Sequence, residues 1–266
     1  MTGLQPESFP PRHLPARTVF QRRRELPQRT NNSLRRTYGL LRSSLHHSVE
    51  AGQVLVEADL VEALSSSRNT VRAALQLLAS EGLVTRRPKL GTTGRGSTLL
   101  PFNDVLSSHD KMLAYRMRYE QLGTTVIVAP EMLRAWFSLQ PGESVAVIER
   151  LVLQDTSAVG LSVSYVPITT DERSQVGNHC VDVISFLETD LGITIGEIDT
   201  IVAAATCDPE TGRLLGIADG AAILWLEDLI HDTDGRVRAI HQLRYRGDLV
   251  GFSAVARRGT LEQRAG

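Results

Sequence analysis

The chain has 266 residues, an apolar fraction of 42% and a formal net charge of −1, values that are typical of a globular protein of two domains. The longest apolar run, residues 221–226, is far shorter than the roughly 20 residues that a membrane-spanning helix needs. Two lone cysteines, Cys180 and Cys207, form no metal-binding or disulfide pattern, and no secretory signal is recognised. We therefore expect a cytoplasmic protein without a metal site or a cofactor.

Charge is divided unevenly along the chain. Residues 1–97 hold 15 Arg and Lys against 7 Asp and Glu, a net charge of +8, whereas residues 98–266 hold 14 against 23, a net charge of −9. A basic first part joined to an acidic remainder indicates that only the first part meets a polyanion.

Residues 1–32 contain five prolines and six arginines without a sustained apolar period. This composition predicts a disordered basic arm. A phosphate contact to DNA and a solvated tail without a role both remain open for this arm.

Three helices and a hairpin are predicted in residues 33–97. The predicted bounds are 33 to before 52 for the first helix, 57–64 for the second and 67–81 for the third, followed by a strand at 83–87 and an irregular return from 92. Gly82 can take the left-handed conformation that ends the third helix. The order helix, turn, helix, wing is that of a winged helix-turn-helix.

The third helix combines an apolar stripe with a polar first turn. The stripe consists of Val71, Ala74, Leu75 and Leu78, at three- and four-residue spacing. Ser67 can cap the helix, and Arg68 and Arg72 share one side of it, with Asn69 and Thr70 beside them. Guanidinium and amide groups can bind base edges or phosphates in a major groove. Taken alone, the pattern also fits an amphipathic helix with a solvated basic face.

The remainder of the chain predicts an α+β domain after a polar connector at 98–112. Its predicted elements are a first strand from about 113, a helix at 129–139, strands at 144–154 and 160–166, a helix at 181–191, a strand at 193–207, a short helix at 208–216, and a meander of strands at 222–231, 237–247 and 250–257. Antiparallel neighbours with interspersed helices imply a sheet with its helices on one side.

The motifs of both halves resemble the GntR superfamily of bacterial transcription regulators, in its HutC branch. Residues 67–72, 81–84 and 86–87 are similar to its winged helix-turn-helix. Residues 141–143, 147–151, 161–167 and 245–248 are similar to its UTRA effector-binding domain, which has a chorismate-lyase-like fold. The resemblance covers about residues 34–257. It implies an α+β chain in which a winged helix-turn-helix is followed by an antiparallel-sheet domain.

This resemblance implies a domain organisation and a set of functional residues. The domains are a basic arm at 1–32, a DNA-binding domain at 33–97, a linker at 98–112, an effector-binding and dimerisation domain at 113–258 and a tail at 259–266. The implied DNA-contacting residues are Arg68, Asn69, Thr70, Arg72, Arg86, Lys89 and Gly91. The implied effector-binding residues are Arg150, Ser162, Ser164, Tyr165, Tyr245 and Asp248. A structural salt bridge remains the alternative role for Arg150.

Several positions depart from the family pattern. Ala58 stands where relatives have a DNA-contacting arginine, and the segment 55–60 is one residue shorter, so the operator sequence stays open. Val152 and Ser162 replace the second arginine and the acidic residue of relatives that sense sugar phosphates. The loss of a cationic fork weakens a phosphorylated sugar as the effector.

The sequence therefore predicts a ligand-responsive repressor that binds a palindromic double-stranded operator as a homodimer, and not an enzyme. A regulator with a ligand-blind sensor domain and an enzyme of chorismate-lyase-like fold are the alternatives. No acid–base pair is evident in the second half. The histidines, among them His231 and His241, are scattered without metal-ligand spacing, which indicates surface or hydrogen-bonded core positions.

Overall fold

The computed structural model describes residues 33–47, 49, 52–87, 91–101, 115–169, 172 and 182–255. The predicted arm at 1–32 and the predicted tail at 259–266 lie outside the described residues, as do Lys89, Cys180 and most of the predicted linker. The described chain forms an N-terminal unit of helices with a small sheet, followed by a large antiparallel sheet.

The N-terminal unit contains the predicted helices and wing. Its elements are α1 (Ser33–His47), β1 (Val54–Leu55), α2 (Glu57–Ala63), α3 (Arg68–Ser80), β2 (Val84–Arg87) and β3 (Gly91–Gly94). The three strands pair antiparallel in the order β1-β3-β2. The return strand β3 is more regular than the ragged segment that the sequence predicts, because it pairs on both sides.

A compact core holds the N-terminal unit together. The apolar stripe of α3 is fully buried and packs against Leu41 and Leu45 of α1. Thr37 and Ser66 form a buried hydroxyl–hydroxyl hydrogen bond of 2.6 Å between α1 and the turn before α3. The helical periodicity of the sequence thus identified the core face of α3 correctly.

The large sheet has six strands in the order β5-β6-β7-β10-β9-β8, all antiparallel. Its strands are β5 (Met117–Val128), β6 (Ser144–Gln154), β7 (Ser157–Ile168), β8 (Ile195–Thr206), β9 (Ala222–Asp232) and β10 (Val237–Arg246). Between them lie α4 (Glu131–Phe137), α5 (Val183–Ser185) continued by a π-helical segment (Phe186–Asp190), and α6 (Pro209–Leu215).

Helices cover both faces of this sheet, so the predicted one-sided arrangement is wrong. The helix α4 packs against Val145 and Ile240, whereas α5 and its π-helical continuation pack against Ala146 and Ile148. Val145 and Ala146 are consecutive in β6, and consecutive strand residues point to opposite faces. We call the face of Ala146 and Ile148 the α5 face, and the face of Val145 the α4 face.

The chain entering the sheet from the N-terminal unit forms a strand that the sequence did not predict. Residues Thr98–Pro101 form β4, which pairs parallel with β11 (Val250–Ser253). The strand predicted at 250–257 forms as β11 over 250–253, but it does not continue the meander, since β11 pairs with β4 and not with β10. Parallel pairing of segments about 150 residues apart joins the connector to the second half.

Candidate nucleic-acid interface and effector site

The first turn of α3 is capped and exposed. Ser67 is extended, with φ −65° and ψ 151°, and its Oγ accepts a hydrogen bond of 3.2 Å from the backbone N–H of Thr70. This cap sets the start of the helix so that Arg68 and Asn69 are exposed and Thr70 is half-buried. Arg68, Asn69 and Thr70 therefore lie at the N-terminal end of α3, the end from which recognition helices contact base edges.

Glu57 of α2 joins the recognition helix to the wing. Its Oε2 accepts from Arg72 Nε at 2.7 Å, and its Oε1 accepts from Arg86 Nη2 at 3.2 Å. The structure thus brings together Arg72 of α3 and Arg86 of β2, two of the predicted DNA contacts. Gly91, with φ +92°, begins the return strand of the wing. Glu57 was not predicted as part of this interface.

A cluster of buried and half-buried polar side chains lies on the α5 face of the large sheet. We call it the polar cluster, and it consists of Tyr119, Arg150, Ser162, Ser164, Thr200, Asp228 and His241. Strand pairing places these residues side by side. Arg150 of β6 lies opposite Ser162 of β7. Across β7, β10, β9 and β8 the paired residues are, in that order, Ser164, His241, Asp228 and Thr200. Arg150 is 1% exposed and Asp228 is fully buried.

Hydrogen bonds between neighbouring strands organise the polar cluster, among them one of 3.5 Å from Ser162 Oγ to the Arg150 carbonyl. Ser164 Oγ lies 2.7 Å from His241 Nδ1, and Thr200 Oγ1 donates to Asp228 Oδ1 at 2.6 Å. Asp228 Oδ2 and His241 Nε2 are buried without a hydrogen-bond partner among the residues that the structure describes. Buried polar atoms in native proteins are nearly always paired, so an ordered water or a bound group is the expected partner of these two atoms.

Burial dominates the protonation of the polar cluster. Desolvation raises the pKa of Asp228 to about 7, against the lowering effect of the Thr200 hydrogen bond. Desolvation and the positive charge of Arg150 lower the pKa of His241 to about 3, so this imidazole is neutral at pH 7. Burial also raises the pKa of Tyr119 above its usual range. The cluster thus holds a guanidinium, a carboxyl that titrates near neutrality and a neutral imidazole.

The structure does not bring all six predicted effector residues together. Arg150, Ser162 and Ser164 belong to the polar cluster, and Tyr245 lies on the same face, buried edge-to-face against Phe252 at 6.0 Å. Tyr165 lies on the α4 face, where it packs on the core of α4. Asp248 lies in the turn after β10 and pairs with Arg246 and Arg95.

Known families match both parts of the chain. The UTRA domain family matches residues 113–250, more than half of the chain. The family described as bacterial regulatory proteins, gntR family, matches residues 34–93. The chain belongs to the gntR family and carries a UTRA domain. It is a transcription regulator with an effector-binding domain, and not an enzyme.

Several solved structures share the fold of this chain. PhnF from Mycobacterium smegmatis is 23% identical, with a TM-score of 0.57 and coverage of 84% of this chain and 100% of that one. The effector domain of PhnF is 21% identical, with a TM-score of 0.51 and coverage of 56% of this chain and 91% of that one. The C-terminal domain of Yurk from Bacillus subtilis is 13% identical, with a TM-score of 0.50 and coverage of 60% of this chain and 100% of that one. At these identities the likeness is one of fold. A comparison with curated proteins gave no match.

Sequence reasoning missed the acid and the histidine of the UTRA polar cluster. The two-residue alternation of buried positions along a strand could have identified both residues. Asp228 lies between Leu226 and Ile230 on the buried face of β9, and His241 lies between Ala239 and Leu243 on the buried face of β10. A polar residue at an inward position of an apolar strand is a candidate site residue.

Two kinds of site are absent from the described part of this gntR-family chain. No group of three or more His, Cys, Asp or Glu side chains there could hold a metal ion. Likewise, none of the helices built from the described residues is long and apolar enough to cross a membrane. Cys207, the cysteine that the structure describes, is buried with a free thiol, and burial raises its pKa.

Proposed function

We propose that this regulator is a cytoplasmic homodimeric repressor that reads a palindromic operator with α3 and the wing and responds to a small effector bound at the polar cluster. The observation that carries the proposal is the exposed, Ser67-capped first turn of α3 beside the shared pair of Arg72 and Arg86 on Glu57.

The DNA-binding role rests on chemistry and shape. Arg68 and Asn69 are exposed at the N-terminal end of α3, from which base edges are read in helix-turn-helix proteins. Arg86 and Gly91 lie on the wing strands, one on each side of the predicted tip at Lys89, which is outside the described residues. Glu57 holds Arg72 and Arg86 close together, so one phosphate approaching this pair would meet two guanidinium groups.

A two-fold dimer explains why one recognition helix would suffice per chain. Two copies of α3, held about 34–36 Å apart by a dimer axis, would enter successive major grooves of a palindrome. An effector would act by favouring a dimer geometry that no longer matches both half-sites.

The effector-binding role rests on the polar cluster. Arg150, Ser162 and Ser164 meet there with the unpaired atoms Asp228 Oδ2 and His241 Nε2. A sensor domain that had lost its ligand would gain stability by replacing such unpaired buried groups with apolar ones. The presence of these unpaired buried groups supports a ligand-responsive regulator over a ligand-blind one.

The DNA-binding test compares Arg68→Ala with Arg213→Ala, which removes an exposed arginine on α6, outside α3 and the wing. Gel-shift titrations at physiological salt should use fragments of the DNA upstream of the protein's own gene. We expect Arg68→Ala to weaken binding at least tenfold, since a base-contacting arginine contributes about 1–3 kcal/mol, and Arg213→Ala to bind like wild type. Equal binding by Arg68→Ala would overturn the DNA-binding assignment.

Repression and dimer formation need separate measurements. A reporter gene under the same upstream DNA should be expressed more strongly with Arg68→Ala than with wild type or Arg213→Ala. Lower expression with Arg68→Ala would identify an activator instead. Sedimentation of the protein with and without DNA should give a dimer in both cases, and a monomer on a single half-site would contradict the palindrome.

A further inference from the structure

The polar cluster contains two groups of opposite charge that do not pair with each other. Arg150 brings a buried guanidinium on β6, and Asp228 brings a fully buried carboxyl on β9. Asp228 Oδ1 accepts a hydrogen bond from Thr200, whereas no described residue is a hydrogen-bond partner or counter-ion of Asp228 Oδ2. An acid buried in this way is destabilising unless something else neutralises it.

Strand order sets the distance between the two charges. β7 and β10 lie between β6 and β9, so the two backbone positions are roughly 14 Å apart at about 4.8 Å per strand. Both side chains point to the α5 face and act electrostatically on Tyr119. Burial and then the buried carboxylate Asp182 raise the pKa of this phenol most, while Arg150 lowers it and Asp228 raises it. The phenol of Tyr119 therefore lies within range of both charges, and the two ends of a small molecule could reach both.

We propose that the effector is a small zwitterion, whose anionic group, carboxylate or phosphate, pairs with Arg150 and whose amine pairs with Asp228 Oδ2 and lies beside His241 Nε2. The proposal rests on the effector role of the polar cluster proposed above and adds the chemical class of the ligand.

The other groups facing Asp228 favour an amine at this end. His241 carries no positive charge at neutral pH that would repel a cation, because burial and Arg150 hold its pKa near 3. Burial keeps the phenols of Tyr119 and Tyr245 neutral by raising their pKa values. Glu227, the neighbouring acid on β9, raises the pKa of Asp228 and adds to the negative field. An ammonium group would supply the missing positive charge.

A hydroxylated anion such as a sugar phosphate could also donate a hydrogen bond to Asp228. It would not require the ionised carboxylate, whereas an ammonium would. The two ligand classes therefore differ in pH dependence: affinity for a zwitterion should fall about tenfold per pH unit below pH 7, where Asp228 takes up a proton.

The first experiment uses the full chain and pairs of small molecules with and without an amine. Thermal shift and release from the upstream DNA would be measured at pH 8 with the common α-amino acids against their 2-hydroxy acids, and with O-phosphoethanolamine against ethyl phosphate. We expect an aminated compound to stabilise and release the protein at least tenfold more effectively than its partner. Comparison of the amino acids with O-phosphoethanolamine then shows whether the anionic group of the effector is a carboxylate or a phosphate.

Two results of this screen would overturn the proposal. One is that no aminated compound acts, and the other is that an amine-free partner acts equally well. In the second case the effector site itself survives, because release from DNA by an amine-free anion supports the proposed function while excluding a zwitterion. Unimpaired DNA binding by Arg68→Ala would instead remove the proposed function.

The second experiment compares Asp228→Asn with Asp199→Asn. Asp199 lies next to Thr200 on β8 but is exposed on the α4 face. We expect Asp228→Asn to lose at least tenfold in affinity for the active amine, to retain DNA binding, and to melt at or above the wild-type temperature, since the buried acid is removed. Asp199→Asn should respond like wild type. A lower melting temperature together with unchanged amine affinity would give Asp228 a structural role and overturn the proposal.

Discussion

Arg95, just after the wing strand β3, and Asp248, in the turn after β10, form an ion pair of 3.5 Å between the DNA-binding unit and the UTRA domain. Asp248 also accepts from Arg246 Nη2 at 2.6 Å and Nε at 3.0 Å. Gly82, at the end of α3, approaches so closely that an added Cβ would lie 2.8 Å from Asp248 Oδ2. One carboxylate therefore contacts the end of the recognition helix, the wing and the sheet.

We expect Gly82→Ala to destabilise the protein and to disturb this junction. Gly82 has φ +79°, a conformation that costs an alanine about 1 kcal/mol, and the new methyl group would displace the Asp248 carboxylate. Gly216→Ala is the matched control, because Gly216 also ends a helix, with φ +66° and no atom of the described residues within 4 Å of an added Cβ. In urea unfolding Gly82→Ala should lose more free energy than Gly216→Ala. Equal losses would mean that the Asp248 contact adds nothing.

Glu57→Gln should strengthen binding to non-specific DNA. Glu57 neutralises Arg72 and Arg86 in the DNA-free protein, so removal of its charge frees both guanidinium groups for phosphates. We expect the slope of log K against log salt to steepen by about 1–2, measured by fluorescence anisotropy. Glu62→Gln on the exposed side of α2 controls for net charge. Weaker binding by Glu57→Gln would instead show that Glu57 holds Arg72 in its binding geometry.

Ser67→Ala should destabilise α3 by about 0.5–2 kcal/mol, because it removes the side-chain acceptor of the Thr70 N–H. Ser80→Ala at the other end of α3 is the control, since Ser80 Oγ only donates to the Leu77 carbonyl of its own helix. Thermal unfolding followed by circular dichroism would compare the two. A smaller loss for Ser67→Ala than for Ser80→Ala would contradict the capping role.

Asp228 and His241 should make opposite contributions to stability as pH changes. The pKa of Asp228 is about 7 in the folded protein and near 3.8 when unfolded, so between these values the folded state holds the extra proton and stability falls as pH rises. The pKa of His241 is about 3 when folded and near 6.5 when unfolded, so stability rises with pH across that window. Between about pH 4 and 6.5 the two effects oppose each other.

Single substitutions should reveal each slope. The Asp228→Asn variant retains only the effect of His241. Its free energy of unfolding should therefore rise from pH 4 to 6.5, by up to about 1.4 kcal/mol per pH unit more than that of wild type. The His241→Asn variant retains only the effect of Asp228, so its free energy of unfolding should fall as the pH rises to about 7. Parallel curves for wild type and both variants, measured by urea titration at fixed ionic strength, would contradict the buried protonation states.

Local patterns in the sequence were sufficient for much of the fold. The stripe Val71, Ala74, Leu75 and Leu78 and the Ser67 cap are set by residues within one or two helical turns of each other, and the structure has both. The strands around Arg150 and Ser162 were likewise recognised from their apolar runs. Such features depend on near neighbours, and their periods can be read without knowledge of the packing.

The amino-acid sequence by itself thus determined the helix-turn-helix, the wing and the antiparallel strands, because these follow from local period, caps and turns. Tertiary structure decided that β4 pairs with β11, that helices cover both faces of the sheet, and that Asp228 and His241 join Arg150 in one buried cluster. It also placed Tyr165 and Asp248 away from that cluster. These outcomes depend on strand order and register between distant segments, which no local pattern specifies.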